Sequence, residues 1–190
     1  LPSLPFTTSA LQQEASRKLK FTAKKTMLVA QQLYEGLDVK GEGMTGLVTY
    51  IRTDSTRISD IAKKEAHEYI KNTYGKEYVS TFTIAKKNTA KTQDAHEAIR
   101  PTSLARHPEM IEDSLSKDQY RLYKLIWDRF VSSQMSAAIY DTVSVDIKSG
   151  DYTLKLAGSN LRFAGYLILY EEGSDEVIAK DDTKLPPLEE

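Results

Sequence analysis

The stretch GLVTYIRTDS, residues 46–55, begins like a buried β-strand and ends in polar and charged side chains. Tyr50 sits where the apolar run stops, and Arg52, Thr53, Asp54 and Ser55 follow almost at once. A tyrosine hydroxyl has a reference pKa of ~10, so near neutral pH it needs cations or a base beside it before it acts as a nucleophile. Arg52 is a suitable neighbour by type, because a guanidinium offers a rigid fork of donors that fits two oxygens of a phosphate. It would also oppose the extra negative charge of a phosphodiester in its transition state. On a regular strand, positions 50 and 52 point to one face, which would bring both to the same phosphate. From type alone the plainer alternative, a strand aromatic and a surface charge, is the commoner one.

His96 and Arg100, in DAHEAIRPT, form a second candidate pair. An imidazole exchanges a proton near neutral pH and Arg100 is another phosphate donor. Their four-residue spacing brings them together only if the segment is helical. Asp94 and Glu97 have capping-box spacing, but Pro101 biases Arg100 out of the helical region, so one turn at most is expected. His67, on an amphipathic helix among Lys63, Lys64 and Glu68, reads as surface, and His107 beside Pro108 reads as loop. Other chemistries lack their motifs. There is no phosphate-binding glycine loop ending in Lys-Ser/Thr, no histidine pair at metal spacing, no Gly-x-Ser-x-Gly elbow and no Asp-x-Asp. No metal ligands are assigned.

The elements that must position these residues come in two blocks. In the first, Ser9 and Gln12 have the form of a capping box for a helix through LQQEASRKL, and Thr22 is placed to cap a second, AKKTMLVAQQLYE, closed by Gly36. The stripe of that second helix is Met27, Ala30, Leu33 and Tyr34. Two helices joined by a very short turn, the second opening on Lys24 and Lys25, suit a helix-turn-helix. A glycine-bearing loop, GLDVKGEGMTG, then feeds the strand LVTYI. A third helix spans ISDIAKKEAHEYIKNTYG, with Ile58, Ile61, Ala62, Ala66, Tyr69 and Ile70 on or near one face. Residues 76–93 read as a long loop. Ser116 with Gln119 starts a fourth helix, whose stripe includes Tyr120, Tyr123, Trp127 and Phe130. From Thr142 the period changes to two: VSVDI, a KSGD turn and YTLKL make a hairpin signal, and LRFAGYLILY reads as a further strand. The expected class is α+β, a mainly helical helix-turn-helix or winged-helix-like domain followed by an antiparallel β module.

Composition allows one good-sized core or two small ones in 190 residues. Cysteine is absent, so there is neither a disulfide framework nor a thiolate metal site. No apolar run approaches the ~20 residues of a membrane helix, and no signal segment opens the chain. Charge is uneven: residues 1–110 hold 17 Lys and Arg against 12 Asp and Glu, whereas residues 111–190 hold 9 against 15. A basic first part suits a polyanionic partner. The chain opens on Leu1 with LPSLP, which reads as a linker, so a piece of a larger protein is expected.

Three segments, PFTTSALQQEASRKL, GLVTYIRTDSTRIS and AHEAIRPT, in this order and at these separations, closely resemble the type IA DNA topoisomerases. The form Tyr-Ile-Arg-Thr-Asp-Ser is nearer to the bacterial topoisomerase I branch than to topoisomerase III. The resemblance extends over nearly the whole chain. It implies that Tyr50 attacks a phosphodiester of one DNA strand and becomes linked to the 5′ phosphate, so that resealing needs no ATP. It implies that Arg52 contacts the scissile phosphate and that His96 lies near the active site with Asp54 as its candidate partner. Arg100 matches the same motif as His96. DNA contacts are expected from Arg52, Arg57, Arg100, Lys24 and Lys25.

The resemblance further implies a leading linker or arch segment over residues 1–8, a tyrosine-bearing helical domain over 9–136 and a β-rich part of the arch domain over 137–190. The Mg²⁺ of the complete enzyme would be bound by a Toprim domain that this sequence does not contain, and the chain alone is expected to be inactive. Its expected partners are a single-stranded segment of DNA and the remaining domains of the same polypeptide, with no membrane, in the cytoplasm at the bacterial nucleoid. A helix-turn-helix DNA-binding module without chemistry, in which Tyr50 is structural, is the alternative. Whether the Tyr50 hydroxyl is bonded inward or open to solvent separates the two.

Overall fold

Each α-helix starts at a hydroxyl that accepts from its own first turn. The computed structural model describes residues 1–80, 96–171 and 173, and among them the helices are α1 (Thr8–Glu14), α2 (Ala23–Glu35), α3 (Asp60–Thr73) and α4 (Lys117–Ser133). Thr22 accepts from the Lys25 N–H, Ser59 from Ala62, and Ser116 forms the expected reciprocal box with Gln119. Helix α1 departs from the expected start. Its cap is Thr7, two residues before Ser9, with the Thr7 hydroxyl accepting from the Ala10 N–H. It also does not continue as an α-helix. A π-helical turn, Ala15–Leu19, follows and ends at Lys20 in the left-handed conformation, φ 59°. That left-handed residue reverses the chain within three positions, and Thr22 restarts it as α2.

The core gathers around α4. Leu122, Tyr123, Ile126, Trp127, Phe130 and Val131 are buried along it, and α2 packs on it through Val29, Ala30 and Leu33. Trp127 has Tyr69 of α3 edge-on at 5.2 Å and His107 at 4.7 Å. Ile61, expected on or near the apolar face of α3, is exposed, because the buried face runs Ala62, Ala66 and Ile70. Phe6, just after the leading LPSLP, is buried and bridges to Ile99. Both ends of the described chain are tied to α4. Arg129 donates to the Leu4 carbonyl at 2.6 Å and to the Tyr170 hydroxyl at 3.3 Å, and Tyr170 donates to Glu14 at 2.8 Å. Burial and the bond to the Glu14 carboxylate push the Tyr170 phenol well above its ordinary range.

The glycine-bearing segment after α2 is a small hairpin instead of a loop: β1 (Leu37–Val39) pairs antiparallel with β2 (Gly43–Thr45). The C-terminal hairpin is long, β3 (Ile139–Ser149) against β4 (Tyr152–Phe163), turning at Gly150. Directly paired residues share a face, so Val143, Val145, Ile147, Tyr152, Leu154 and Leu156 form one apolar side. Thr142, Ser144, Asp146, Lys148, Thr153 and Lys155 form the other. The further strand expected in LRFAGYLILY does not form. Its first three residues finish β4, and Gly165–Ile168 is a 3₁₀ turn that leads Tyr170 back to the helical body. Gly165 has φ 51°, which is not extended backbone, and a Cβ there would meet the carbonyl oxygens of Ser136 and Ala137 at 2.5 Å, so a side chain is excluded at this point. Most of the loop expected over 76–93, Asp94 of the proposed capping box, and the acidic tail beyond Gly173 lie outside the described residues.

Candidate active site

Residues 46–55 were expected to open as a strand, and no ladder forms. Among the described residues the only bridge in the segment is Val48 to Pro101, and the chain bends at Thr49, Ile51 and Arg52. Its backbone is tied instead to three different elements. Leu47 N–H donates to the Leu33 carbonyl at the end of α2, at 2.7 Å. Thr49 N–H donates to Arg100, and Thr8 at the start of α1 donates to Thr53, both at 2.9 Å. A strand needs a neighbour that stays in register. Here the neighbours are a helix end, a helix start and a segment whose Pro101 has no N–H to give.

The alternation survives without the ladder. Ile51, Thr53 and Ser55 are buried, whereas Arg52 and Asp54 are exposed and Tyr50 is half-buried. Tyr50, Arg52 and Asp54 therefore lie on the outward side. The Tyr50 ring contacts two others: His96 at 4.7 Å between centroids, tilted 41°, and Tyr34 edge-on at 5.6 Å and 69°. Thr49 brings His96 to this place. Its hydroxyl donates to the Ala98 carbonyl at 2.7 Å and accepts from the Arg100 N–H at 3.0 Å, so the segment of the second candidate pair is clamped beside the first. That segment is not helical, as the proline requires.

Tyr50 is half-buried, and its hydroxyl makes no hydrogen bond with a described residue. Among the described residues, the buried side-chain polar atoms without a partner are Glu14 Oε2 and Trp127 Nε1 only. Arg52 makes no ion pair or hydrogen bond through its guanidinium with a described residue. No ion pair joins His96 to Asp54 among the described residues.

The other candidates are placed differently. Arg100 turns its fork inward, pairing with Glu97 at 2.7 Å and donating to the Pro101 carbonyl at 3.0 Å, with Phe130 beneath it. Arg57 is exposed, and its carbonyl accepts from Ala98 at 2.8 Å. Lys24 is exposed at the start of α2, whereas Lys25 pairs with Asp118 at 2.7 Å and lies over the Phe21 ring. Among the described residues, no three of His, Asp and Glu come together as a metal site.

Two residues of this site were missed from sequence. Tyr34 was counted in the apolar stripe of α2, and its contact with Tyr50 depends on how the helix end meets a segment sixteen residues on. Gly46 looked like the start of a strand. A Cβ on it would lie 2.9 Å from the Tyr34 carbonyl oxygen, and a glycine opening an apolar run is a local signal of such close backbone approach.

A family model described as DNA topoisomerase matches residues 1–190. Among solved structures, the full-length topoisomerase I from Thermotoga maritima, in a monoclinic crystal form, is similar with a TM-score of 0.77 at 42% identity. The match covers 92% of this chain and 28% of that one, so the chain spans little more than a quarter of the length of that relative.

Proposed function

The chain belongs to the bacterial type IA DNA topoisomerase family, and on that premise we propose that it is the part of such an enzyme that breaks and reseals one DNA strand through Tyr50. The Tyr50 oxygen attacks the phosphorus of a phosphodiester in a single-stranded segment. The bond from phosphorus to the tyrosine oxygen forms as the bond to the 3′ oxygen breaks. The Tyr50 hydroxyl gives up its proton as it attacks, the departing 3′ oxygen takes one up, and the 5′ phosphate stays on the protein. Attack by the 3′ hydroxyl reverses the step after another strand has passed, which relaxes negative supercoils without ATP because the ester bond energy is kept in the phosphotyrosine.

One observation carries this: the Tyr50 hydroxyl bonds to no described residue although its ring is packed against two others. A structural tyrosine would have its hydroxyl bonded inward, as Tyr123 does to the Arg106 carbonyl at 2.7 Å. Arg52, exposed on the same side, offers the fork for the phosphate oxygens. His96, whose ring lies 4.7 Å from that of Tyr50, is assigned the proton exchange at the reacting oxygens, and Asp54 would orient it once DNA is bound. The acidic residues and Mg²⁺ of the reaction are assigned to a Toprim domain elsewhere in the polypeptide, and β3 and β4 to the arch. The site of action is the bacterial nucleoid. No helix among the described residues is long and apolar enough to cross a membrane.

The test compares the chain alone with the complete enzyme. The complete enzyme should relax negatively supercoiled plasmid and trap protein-linked DNA, and Tyr50→Phe should lose both. The chain alone should do neither. A complete enzyme whose Tyr50→Phe form still traps DNA would leave only the DNA-binding alternative for this segment.

A further inference from the structure

Tyr50 has two ring neighbours, and Tyr34 has no evident task of its own. Helix α2 packs into the core through Thr26, Val29, Ala30 and Leu33, whereas Tyr34 is 39% exposed. The Tyr34 hydroxyl bonds to no described residue. What Tyr34 does touch is Tyr50, edge-on at 5.6 Å. The contact is built into the backbone. Leu47 N–H reaches the Leu33 carbonyl at 2.7 Å, and Gly46 brings its Cα so close that a Cβ would meet the Tyr34 carbonyl oxygen at 2.9 Å. The end of α2 is thereby pressed against the chain four residues before Tyr50.

We propose that Tyr34 is a positioning residue for the nucleophile: with His96 it forms an aromatic slot that fixes the direction of the Tyr50 hydroxyl before DNA arrives. The proposal rests on Tyr50 being the nucleophile. Tyr50 stands on a bent segment with no ladder partner, and no hydrogen bond from a described residue holds its hydroxyl. Ring contacts are then the restraint on its two side-chain torsions. Tyr34 supplies the wall on the α2 side, and its flat edge is the part that matters, since its hydroxyl is free. An in-line attack depends on this direction, because a misplacement of about 1 Å at a reacting atom can cost roughly a hundredfold in rate.

The experiment uses the complete enzyme with a 3′-end-labelled single-stranded oligonucleotide, scoring covalent adduct on a denaturing gel under single-turnover conditions. Tyr34→Leu keeps apolar bulk at a half-exposed site, so it should fold, and it removes the flat edge. Its cleavage rate at saturating DNA should fall about tenfold or more, while the Kd for the oligonucleotide stays within about twofold. Tyr34→Phe, which loses only the unbonded hydroxyl, should cleave like the unmodified enzyme. A merely structural role would lower melting temperature and DNA affinity and leave the rate per bound enzyme intact. The proposal is overturned if Tyr34→Leu cleaves at the normal rate when saturated, or if Tyr34→Phe is as slow as Tyr34→Leu. If the unmodified enzyme gives no adduct, or Tyr50→Phe still gives one, the assignment of the nucleophile fails and this proposal falls with it. Normal Tyr50-dependent adduct with a normal Tyr34→Leu rate overturns the positioning role alone.

Discussion

Arg52 and Arg57 are five residues apart and both exposed, yet they stand in different relations to Tyr50. Arg52 follows Tyr50 by two positions in a segment whose burial still alternates, so it faces outward on the same side. Arg57 comes after the backbone has joined Ala98, two residues before Ser59 caps α3. In the complete enzyme, Arg52→Ala is expected to slow single-turnover cleavage about a hundredfold, or about 3 kcal/mol, because it removes a preorganised donor from the phosphate under attack. Arg57→Ala should weaken DNA binding and lower the salt slope by about one, leaving the rate at saturating DNA nearly unchanged. Equal losses in that rate would show that facing outward beside Tyr50 is not what selects the working arginine. Arg52→Lys should recover part of the loss, since an ammonium keeps the charge and loses the fork. Arg100 illustrates the contrast: with Glu97 and Pro101 on its guanidinium, it holds the His96 segment in place, and any contact with DNA would first have to break that pairing.

The junction of α2 with the Tyr50 segment is where a single methyl should be felt across two elements. Gly46→Ala puts a Cβ 2.9 Å from a backbone oxygen, which cannot swing aside as a side chain would. A stability loss of about 1–3 kcal/mol is expected, read as a lower denaturant midpoint, and an unchanged midpoint would mean that α2 slides away at little cost. This junction also shows what the sequence could and could not convey. Thr22, Gly36 and the pair Ser116 and Gln119 were legible because a helix end is decided within four residues. Thr7 was overlooked because Ser9 and Gln12 offered the same pattern two places later. The strand expected at residues 47–51 failed for a non-local reason: the apolar alternation was real, but the segment alongside meets it only around the single Val48–Pro101 bridge, where Pro101 has no N–H to give. The third strand in LRFAGYLILY failed likewise, at Gly165, which takes a left-handed φ and packs against the carbonyl oxygens of Ser136 and Ala137, far from it in sequence. At the site, residue type alone favoured packing for Tyr50, and only the three motifs together singled it out. Tyr34 escaped because an aromatic at helical spacing looks like core.

At the scale of the whole molecule, the long β3–β4 hairpin stands apart from the body that holds Tyr50. Both of its faces are open among the described residues, including the apolar side of Val143, Ile147, Leu154 and Leu156. A two-stranded ribbon of this kind is marginal by itself in water, so its stability must come from its anchor or from what covers it in the complete enzyme. The anchor is compact. Tyr166 N–H bonds the Ser136 carbonyl at 2.9 Å, Gly165 touches Ser136 and Ala137, and Phe163 stacks on Tyr78 at 4.8 Å. The chain thus leaves and re-enters the body at nearly one point. The body itself is closed by contacts that do not involve the ribbon, above all Arg129 and Tyr170 with Glu14 and Leu4. Replacing residues 140–162 with a short Gly-Ser turn, while keeping Phe163, is therefore expected to leave a cooperatively melting helical body. Its Tm should stay within about 4 °C of the parent, the shift that about 1 kcal/mol makes at this chain size. The shortened chain should also aggregate less than the parent, because the apolar side is gone. Loss of cooperative melting would show instead that the ribbon is part of the body's own core, and that the division between helical and β parts does not mark two units of folding.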